Sequence, residues 1–342
     1  MSKKKLIIYA PSVRSEGGKV IIAAFFKGIP LNYNLIFLIN NELVNLTKPF
    51  GLSHIEFVKP GIFHRLVAEI KLLFLAKKND TLITFTNIPP LFPLKAHVIN
   101  FHQNFILLQK STIKIFPWFK ETKFMVQRFF SYIFRNNVNE FIVQSSNMER
   151  AIRNWYGQKT KVKIVSFANT QSFSLLSNNR QGFLYVASGD EHKNHLRLLQ
   201  AWSLLGKQGL KPKLILTISS SYKTLVSKIN FFRNNEGLEI DNIDLVKHEE
   251  IFQIYKNSKA LIYPSLMESF ALPLIEASQI NLPIIASELD YVREVCEPIE
   301  TFDPTSPISI MRAVRRFIKQ PEPKNILKSS DALLKDFGLD KE

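Results

Sequence analysis

The sequence holds one cysteine, Cys296, in 342 residues, so no intrachain disulfide can form and a reducing, cytoplasmic compartment is the expectation. Long apolar runs are also missing. Stretches such as Leu72–Ala76 stop far short of the roughly 18 residues of a membrane span, and no charged segment followed by a long apolar one opens the chain. Any membrane contact should therefore be peripheral. Neither Gly-x-Gly-x-x-Gly nor Gly-x4-Gly-Lys-Ser/Thr occurs, which argues against a dinucleotide-binding dehydrogenase and a P-loop enzyme. Asp-x-Asp, the carboxylate pair that would hold a divalent cation at a diphosphate, is absent as well. His192 and His195 lie three apart, but no further His or Cys cluster completes a ligand set, so no zinc site is expected.

Acidic residues are scarce in only one half. Residues 1–165 carry 24 basic and 8 acidic side chains, a difference of +16, whereas residues 166–342 carry 21 of each. An excess confined to one half marks a surface on one domain and favours a polyanionic or anionic-membrane partner. With 46% apolar and 22% charged residues the chain is an ordinary globular one. Its length suits two domains.

Short β-rich runs alternate with helical-period segments, the pattern of α/β units on mainly parallel sheets. Strands are expected at Lys5–Ala10, Leu35–Ile39, Ile55–Val58, Thr81–Phe85, Ala96–Phe101, Glu140–Val143 and Lys163–Ser166. Helices are expected at Lys19–Lys27, Phe63–Ala76, Lys120–Phe134 and Ser146–Trp155. After a polar linker at Asn169–Gln181, further strands are expected at Phe183–Ala187, Leu214–Ile218, Ile243–Val246, Ala260–Tyr263, Pro283–Ala286 and Ile299–Phe302. Helices near Asn194–Leu205, Tyr222–Phe232, Glu249–Asn257, Pro273–Ile280 and Asp290–Val295 separate them. The expectation is two doubly wound, Rossmann-like domains, 1–168 and 182–320, facing across a cleft, with 321–342 a tail that returns to the first domain as a helix. Ligands of such sheets sit beyond the carboxyl ends of the strands.

The segment from Tyr263 to Ser278 is the most informative. A strand ends at Tyr263, a loop carries Glu268, and Pro273 suits the first turn of a helix that holds Glu276 one turn inside. Free N–H groups and the positive end of the helix dipole favour phosphate there, and carboxylates can accept hydrogen bonds from sugar hydroxyls. Glu268, then Ser-Phe-Ala-Leu-Pro-Leu-Ile, then Glu276-Ala277 resembles the E-x7-E signature of the group 1 (family 4) retaining glycosyltransferases of GT-B fold. The following Asn281-Leu282-Pro283-Ile284-Ile285-Ala286-Ser287 is similar to that family's next turn and strand. The resemblance implies that Glu268 contacts the donor sugar and takes part in catalysis, and that Glu276 holds the nucleotide ribose. Ser269, Phe270 and Ala271 would supply amides to the phosphates, with Leu272 completing the donor-binding segment. The family usually has glycine at the position of Ala271.

Three other segments resemble the same family. His192-Lys193-Asn194-His195, on the first loop of the second domain, implies that Lys193 neutralises the donor diphosphate. Gly17-Gly18, after the first strand, implies a turn touching the donor phosphates. Val98-Ile99-Asn100-Phe101-His102 resembles a strand ending in a histidine at the cleft, which implies that His102 polarises a sugar. Phe141–Ser146 resembles the last cleft strand, with Ser145 or Ser146 capping the next helix.

Phe105–Arg135 interleaves aromatic and aliphatic residues with Lys110, Lys114, Lys120, Lys123, Arg128 and Arg135 against Glu121 alone. It reads either as a surface that settles on an anionic bilayer or holds the acceptor, or as a packed helix with snorkelling basic side chains. No nucleic-acid recognition motif accompanies the charge, so no nucleic-acid partner is expected. The resemblance implies a metal-independent hexosyltransferase without cofactor. It would move sugar from a nucleotide-diphosphate-sugar to a saccharide acceptor, lipid-linked, in envelope polysaccharide (O-antigen or capsule) synthesis at the inner face of the cytoplasmic membrane. Two alternatives stay open: a GT-B protein that binds nucleotide-sugar without transferring it, and a basic nucleic-acid-binding protein.

Overall fold

The computed structural model describes residues 5–29, 33–50, 54–108, 115–166, 177 and 179–319. Seven strands, β1 (Lys5–Ala10), β2 (Asn34–Ile39), β3 (Ile55–Phe57), β4 (Thr81–Thr84), β5 (His97–Phe101), β6 (Glu140–Val143) and β7 (Val162–Ile164), form a parallel sheet ordered β3-β2-β1-β4-β5-β6-β7. Six more, β8 (Phe183–Tyr185), β9 (Leu214–Leu216), β10 (Ile240–Asn242), β11 (Ala260–Tyr263), β12 (Ile284–Ser287) and β13 (Glu300–Phe302), form a second, ordered β10-β9-β8-β11-β12-β13. The second sheet repeats the order of the first six strands. Both are Rossmann-like and α/β, as the alternation of runs required.

The helices in the first unit are α1 (Glu16–Lys27), α2 (Val44–Thr47), α3 (Ile62–Leu75), α4 (Trp118–Ile133) and α5 (Ser146–Tyr156). In the second they are α6 (His195–Lys207), α7 (Lys223–Asn235), α8 (His248–Asn257), α9 (Leu272–Gln279), α10 (Asp290–Arg293) and α11 (Pro307–Phe317). Parallel sheets need cover on both faces, and β1 shows how it is supplied. Leu6, Ile8 and Ala10 pack with Ile21, Ile22 and Phe26 of α1, while Ile7 and Tyr9 turn to Ala68 and Leu72 of α3. In the second unit a single cluster gathers β8, β11, Trp202 and Leu198 of α6, and Ile310 and Val314 of α11.

Two expectations are corrected. The strand expected at Ile243–Val246 lies earlier, at Ile240–Asn242, because Asp244 has φ +63° and turns the chain out of the sheet. Asn242 closes that edge by exchanging hydrogen bonds with the backbone of Ile218, 2.8 and 2.9 Å. Helix α11 was not anticipated, although Ser306 accepts from the Ser309 N–H and Pro307 fills the first turn, both start signals. The tail at 321–342 lies outside the described residues.

Each sheet reverses its winding between β1 and β4, or between β8 and β11. At such a switch point the loops leaving neighbouring strands diverge and open a crevice. Gly17 and Gly18, in the first turn of α1, follow β1, the Lys193 loop follows β8 and the Glu268 loop follows β11, so topology delivers these segments to crevices.

Candidate functional site

The Lys193 and Glu268 loops are stitched together beyond β8 and β11. Leu266 N–H donates to the His192 carbonyl at 2.8 Å, and the buried Ser265 hydroxyl to the same carbonyl at 3.2 Å. Asn194 adopts φ +63°, a left-handed conformation that asparagine tolerates, and its amide nitrogen donates to the carbonyls of Pro264, 3.0 Å, and Pro304, 2.7 Å. Lys193 is thereby held facing Glu268. Its ammonium donates to both carboxylate oxygens at 2.7 and 2.9 Å, and Tyr263 donates its hydroxyl to Oε1 at 2.9 Å. The lysine and glutamate side chains are 16% and 10% exposed. Burial pushes the Glu268 carboxyl upward, but the positive charges of Lys193 and His192 outweigh it and hold the group below the usual value.

Beneath this pair lies a floor of buried tyrosines that the sequence reading missed. Tyr185 donates to the Lys193 carbonyl at 2.7 Å and Tyr291 to the Ser265 carbonyl at 2.8 Å. The Tyr185 and Tyr263 rings meet edge to face at 5.5 Å. Burial, reinforced by the Glu268 charge, raises all three hydroxyls well above their ordinary value, so they remain donors. For Tyr185 and Tyr263 an aromatic residue at a strand end was the available signal; Tyr291, on α10, carried none. His195 is packed rather than placed for a ligand: its Nε2 lies 2.8 Å from the Ser188 carbonyl and its ring 4.7 Å from Tyr185.

Helix α9 is preceded by its cap residue Ala271, whose φ of +54° and ψ of 57° are left-handed. Glycine takes that conformation without penalty, which gives a physical reason for glycine being usual there. Phe270 and Ala271 are buried, and Leu272 packs on the core between the first sheet and α1. Glu276 lies one turn further, and the fully buried Tyr255 of α8 donates to its Oε2 at 2.8 Å. Ser269 joins the two units: its Oγ accepts from the Phe105 N–H at 3.1 Å and its carbonyl accepts from the Ser145 hydroxyl at 3.2 Å. Ser145 also caps α5, accepting from the Met148 N–H at 3.2 Å.

Residues 167–331 match the family described as glycosyl transferases, group 1. That stretch is similar to the group 1 glycosyl transferases. The Escherichia coli serotype-specific mannosyltransferase WbdA is 27% identical over 173 residues, 46% of this chain and 21% of that protein. The O-antigen chain mannosyltransferase RfbU of Salmonella typhimurium is 23% identical over 226 residues, 60% of this chain and 59% of that one. This chain therefore spans less than two thirds of the length of the curated relatives it matches. Anabaena Alr3699/HepE, solved with UDP and glucose, superposes with a TM-score of 0.68 at 14% identity over 92% of this chain and 90% of that chain. The architecture is GT-B.

The first unit carries the remaining residues. Gly18 N–H donates to the Ser15 cap at 3.2 Å, and a Cβ on Gly18 would lie 3.0 Å from Ser15 Oγ, so this glycine serves close packing. A Cβ on Gly17 would meet nothing within 4 Å. His102, just past β5, is buried, and among the described residues neither ring nitrogen has a hydrogen-bond partner. Burial lowers it to about 4, the backbone of Asn104 offsetting only part, so the ring is neutral near pH 7. It stands three residues before Phe105, which holds Ser269.

The basic region behaves differently from expectation. Lys110 and Lys114 lie outside the described residues. Arg128 is turned inward to the Ile106 carbonyl, and burial lowers its affinity for the proton, so it is not a free surface cation. Lys120 donates to both carboxylate oxygens of Glu191 at 2.6 and 2.8 Å, tying α4 to the loop of Lys193. Lys123 is exposed, as is much of the apolar side of α4, with Trp118 at 77%.

Proposed function

We propose that the protein transfers a hexose-type sugar from a nucleotide-diphosphate-sugar to a saccharide acceptor, with retention of anomeric configuration. The observation that carries this reading is the Lys193–Glu268 pair, its glutamate on the loop that leads into α9, with Glu276 one turn inside that helix. A diphosphate arriving at the pair competes with Glu268 for the lysine. Its charge is then offset by Lys193 and by the amides between Ser269 and Leu272, without a metal ion. Glu268, released, accepts from donor-sugar hydroxyls, and Glu276 accepts from the ribose. The bond from the anomeric carbon to the β-phosphate oxygen breaks with its electron pair on the diphosphate. The acceptor oxygen bonds that carbon on the same face, and its proton passes to the departing phosphate. Neutral His102 polarises a sugar hydroxyl from the opposite unit, and Gly17 offers close backbone approach.

The mannosyltransferase relatives support an acceptor in O-antigen-type envelope polysaccharide synthesis. A lipid-linked acceptor at the inner face of the cytoplasmic membrane accords with the excess positive charge of residues 1–165. Among the described residues no helix is long and apolar enough to cross a membrane, so contact through α4 is peripheral. The reading is tested by calorimetric titration of nucleoside diphosphates into wild type and Glu276→Ala, together with transfer of labelled sugar from a panel of nucleotide-sugars. Loss of at least tenfold in affinity is expected on removing a charged hydrogen-bond acceptor, about 1.5–3 kcal/mol. Unchanged affinity would sink the ribose assignment.

A further inference from the structure

Helix α3 is built inside out. Its charged pair, Arg65 and Glu69, is turned into the domain: Glu69 is buried, accepts from the Leu91 N–H at 3.1 Å and from Tyr9 at 3.3 Å, and Arg65 donates to the Ile88 carbonyl at 3.0 Å. Ala68 and Leu72 pack on the sheet beside them. The solvent side carries Ile62, Phe63, Leu66, Ile70, Leu73 and Phe74, with Ile62 at 91%, Phe63 at 72% and Phe74 at 76% exposure. At about 100° per residue these six fan over roughly 120° of the helix. A surface helix of a soluble domain ordinarily puts its charges on that side.

We propose that α3 lies on an anionic bilayer and inserts this face between the lipid headgroups. The inference rests on the reading that the basic half faces a membrane, and adds an element that the sequence did not single out. Three observations favour lipid over protein. Exposed Lys59, Lys77 and Lys78 lie at the two ends of the face, positive charge beside the apolar side chains that would enter the interface, while Lys71 is already paired with Glu56. The face belongs to the half that carries the whole +16, so a second copy docked there would set two like charges together, whereas anionic lipid is attracted. The patch also shares its side of the sheet with α4. Val98, which packs with α3, and Asn100 point the same way along β5, and Asn100 is in register with Phe141, which packs with α5. Helix α4 leans on α5 through Tyr132 and Trp155, whose rings are 6.0 Å apart.

The test is co-sedimentation of wild type and an Ile62→Gln, Phe63→Gln, Phe74→Gln variant with vesicles of phosphatidylethanolamine and phosphatidylglycerol, and with phosphatidylcholine vesicles as control. Melting temperature and sedimentation velocity are measured alongside. Wild type should bind the anionic vesicles, and the variant should bind at least about tenfold more weakly with an unchanged melting temperature. A variant that binds as wild type does overturns the role of α3 and leaves the membrane reading of the basic half standing. Wild type that ignores anionic vesicles overturns both. Loss of a wild-type dimer in the variant, with equal vesicle binding, assigns the face to a second copy instead. A large drop in melting temperature with equal vesicle binding assigns it to another segment of the same chain.

Discussion

Replacing Lys193 with methionine keeps the aliphatic stem and removes the charge that faces Glu268. Removing one member of a buried ion pair costs about 3–5 kcal/mol because it strands the other charge. Water reaches part of this pair, at 16% and 10% exposure, and Tyr263 still donates to the carboxylate. Those two facts reduce the expected loss to about 2–3 kcal/mol at pH 7. The loss should depend on pH in a defined direction. In the wild type the Glu268 carboxyl is held below its usual value, the nearby positive charges outweighing burial. That contributes stability above the unfolded carboxylate range, about 4.3, and the contribution fades as pH falls through the lower folded value. Without Lys193, burial dominates and the folded carboxyl is raised. The variant then takes up a proton on folding, which favours it at low pH and costs it stability as pH rises. The gap between the two proteins is therefore widest near pH 7 and narrows toward pH 5. Urea unfolding at both pH values measures it, and adding Glu268→Gln to the methionine variant should recover most of the loss at pH 7. Equal losses at the two pH values, or no recovery in the double variant, would refute the reasoning.

Two further outcomes are expected. Tyr255→Phe removes the hydroxyl that holds Glu276 at 2.8 Å, so affinity for nucleoside diphosphate should fall about threefold to tenfold by calorimetry, and equal affinity would show that the tyrosine does not position Glu276. His102 and His195, both lowered from 6.5 to about 4 by burial, should show no ring titration by NMR above about pH 5. Because the unfolded chain binds more protons between those values, they should subtract stability as pH falls from 6.5 toward 4, and a midpoint near 6.5 for either ring would overturn its placement.

Much of the architecture was legible because local pattern carries it. Lys5–Ala10, Glu140–Val143 and Ala260–Tyr263 are strands at the expected limits, since branched apolar runs bounded by turn residues have few other ways to be buried. Apart from α11, whose start signals were present, the failures fell where a single backbone angle or a polar side chain decided the outcome. Asp244 in the left-handed region displaced β10, and no periodicity announces such a residue. Arg128 shows the same limit for charge: its place among lysines suggested a surface cation, but its position on α4 directs it to a backbone carbonyl.

The spacing of Glu268 and Glu276 is a property of the sequence, because a loop, a proline at a helix start and one helical turn place them whatever the rest of the chain does. The concentration of +16 in the first 165 residues is likewise written in the order of residues. Only the tertiary structure decided that Lys193, 75 positions before Glu268, would be its partner. It also decided that Phe105 and Ser145 would reach across to Ser269, and that the charged side of α3 would turn inward and its apolar side outward. The reason is physical: spacing along a helix or strand is set by local geometry, whereas pairing and exposure depend on which elements the sheet order brings together.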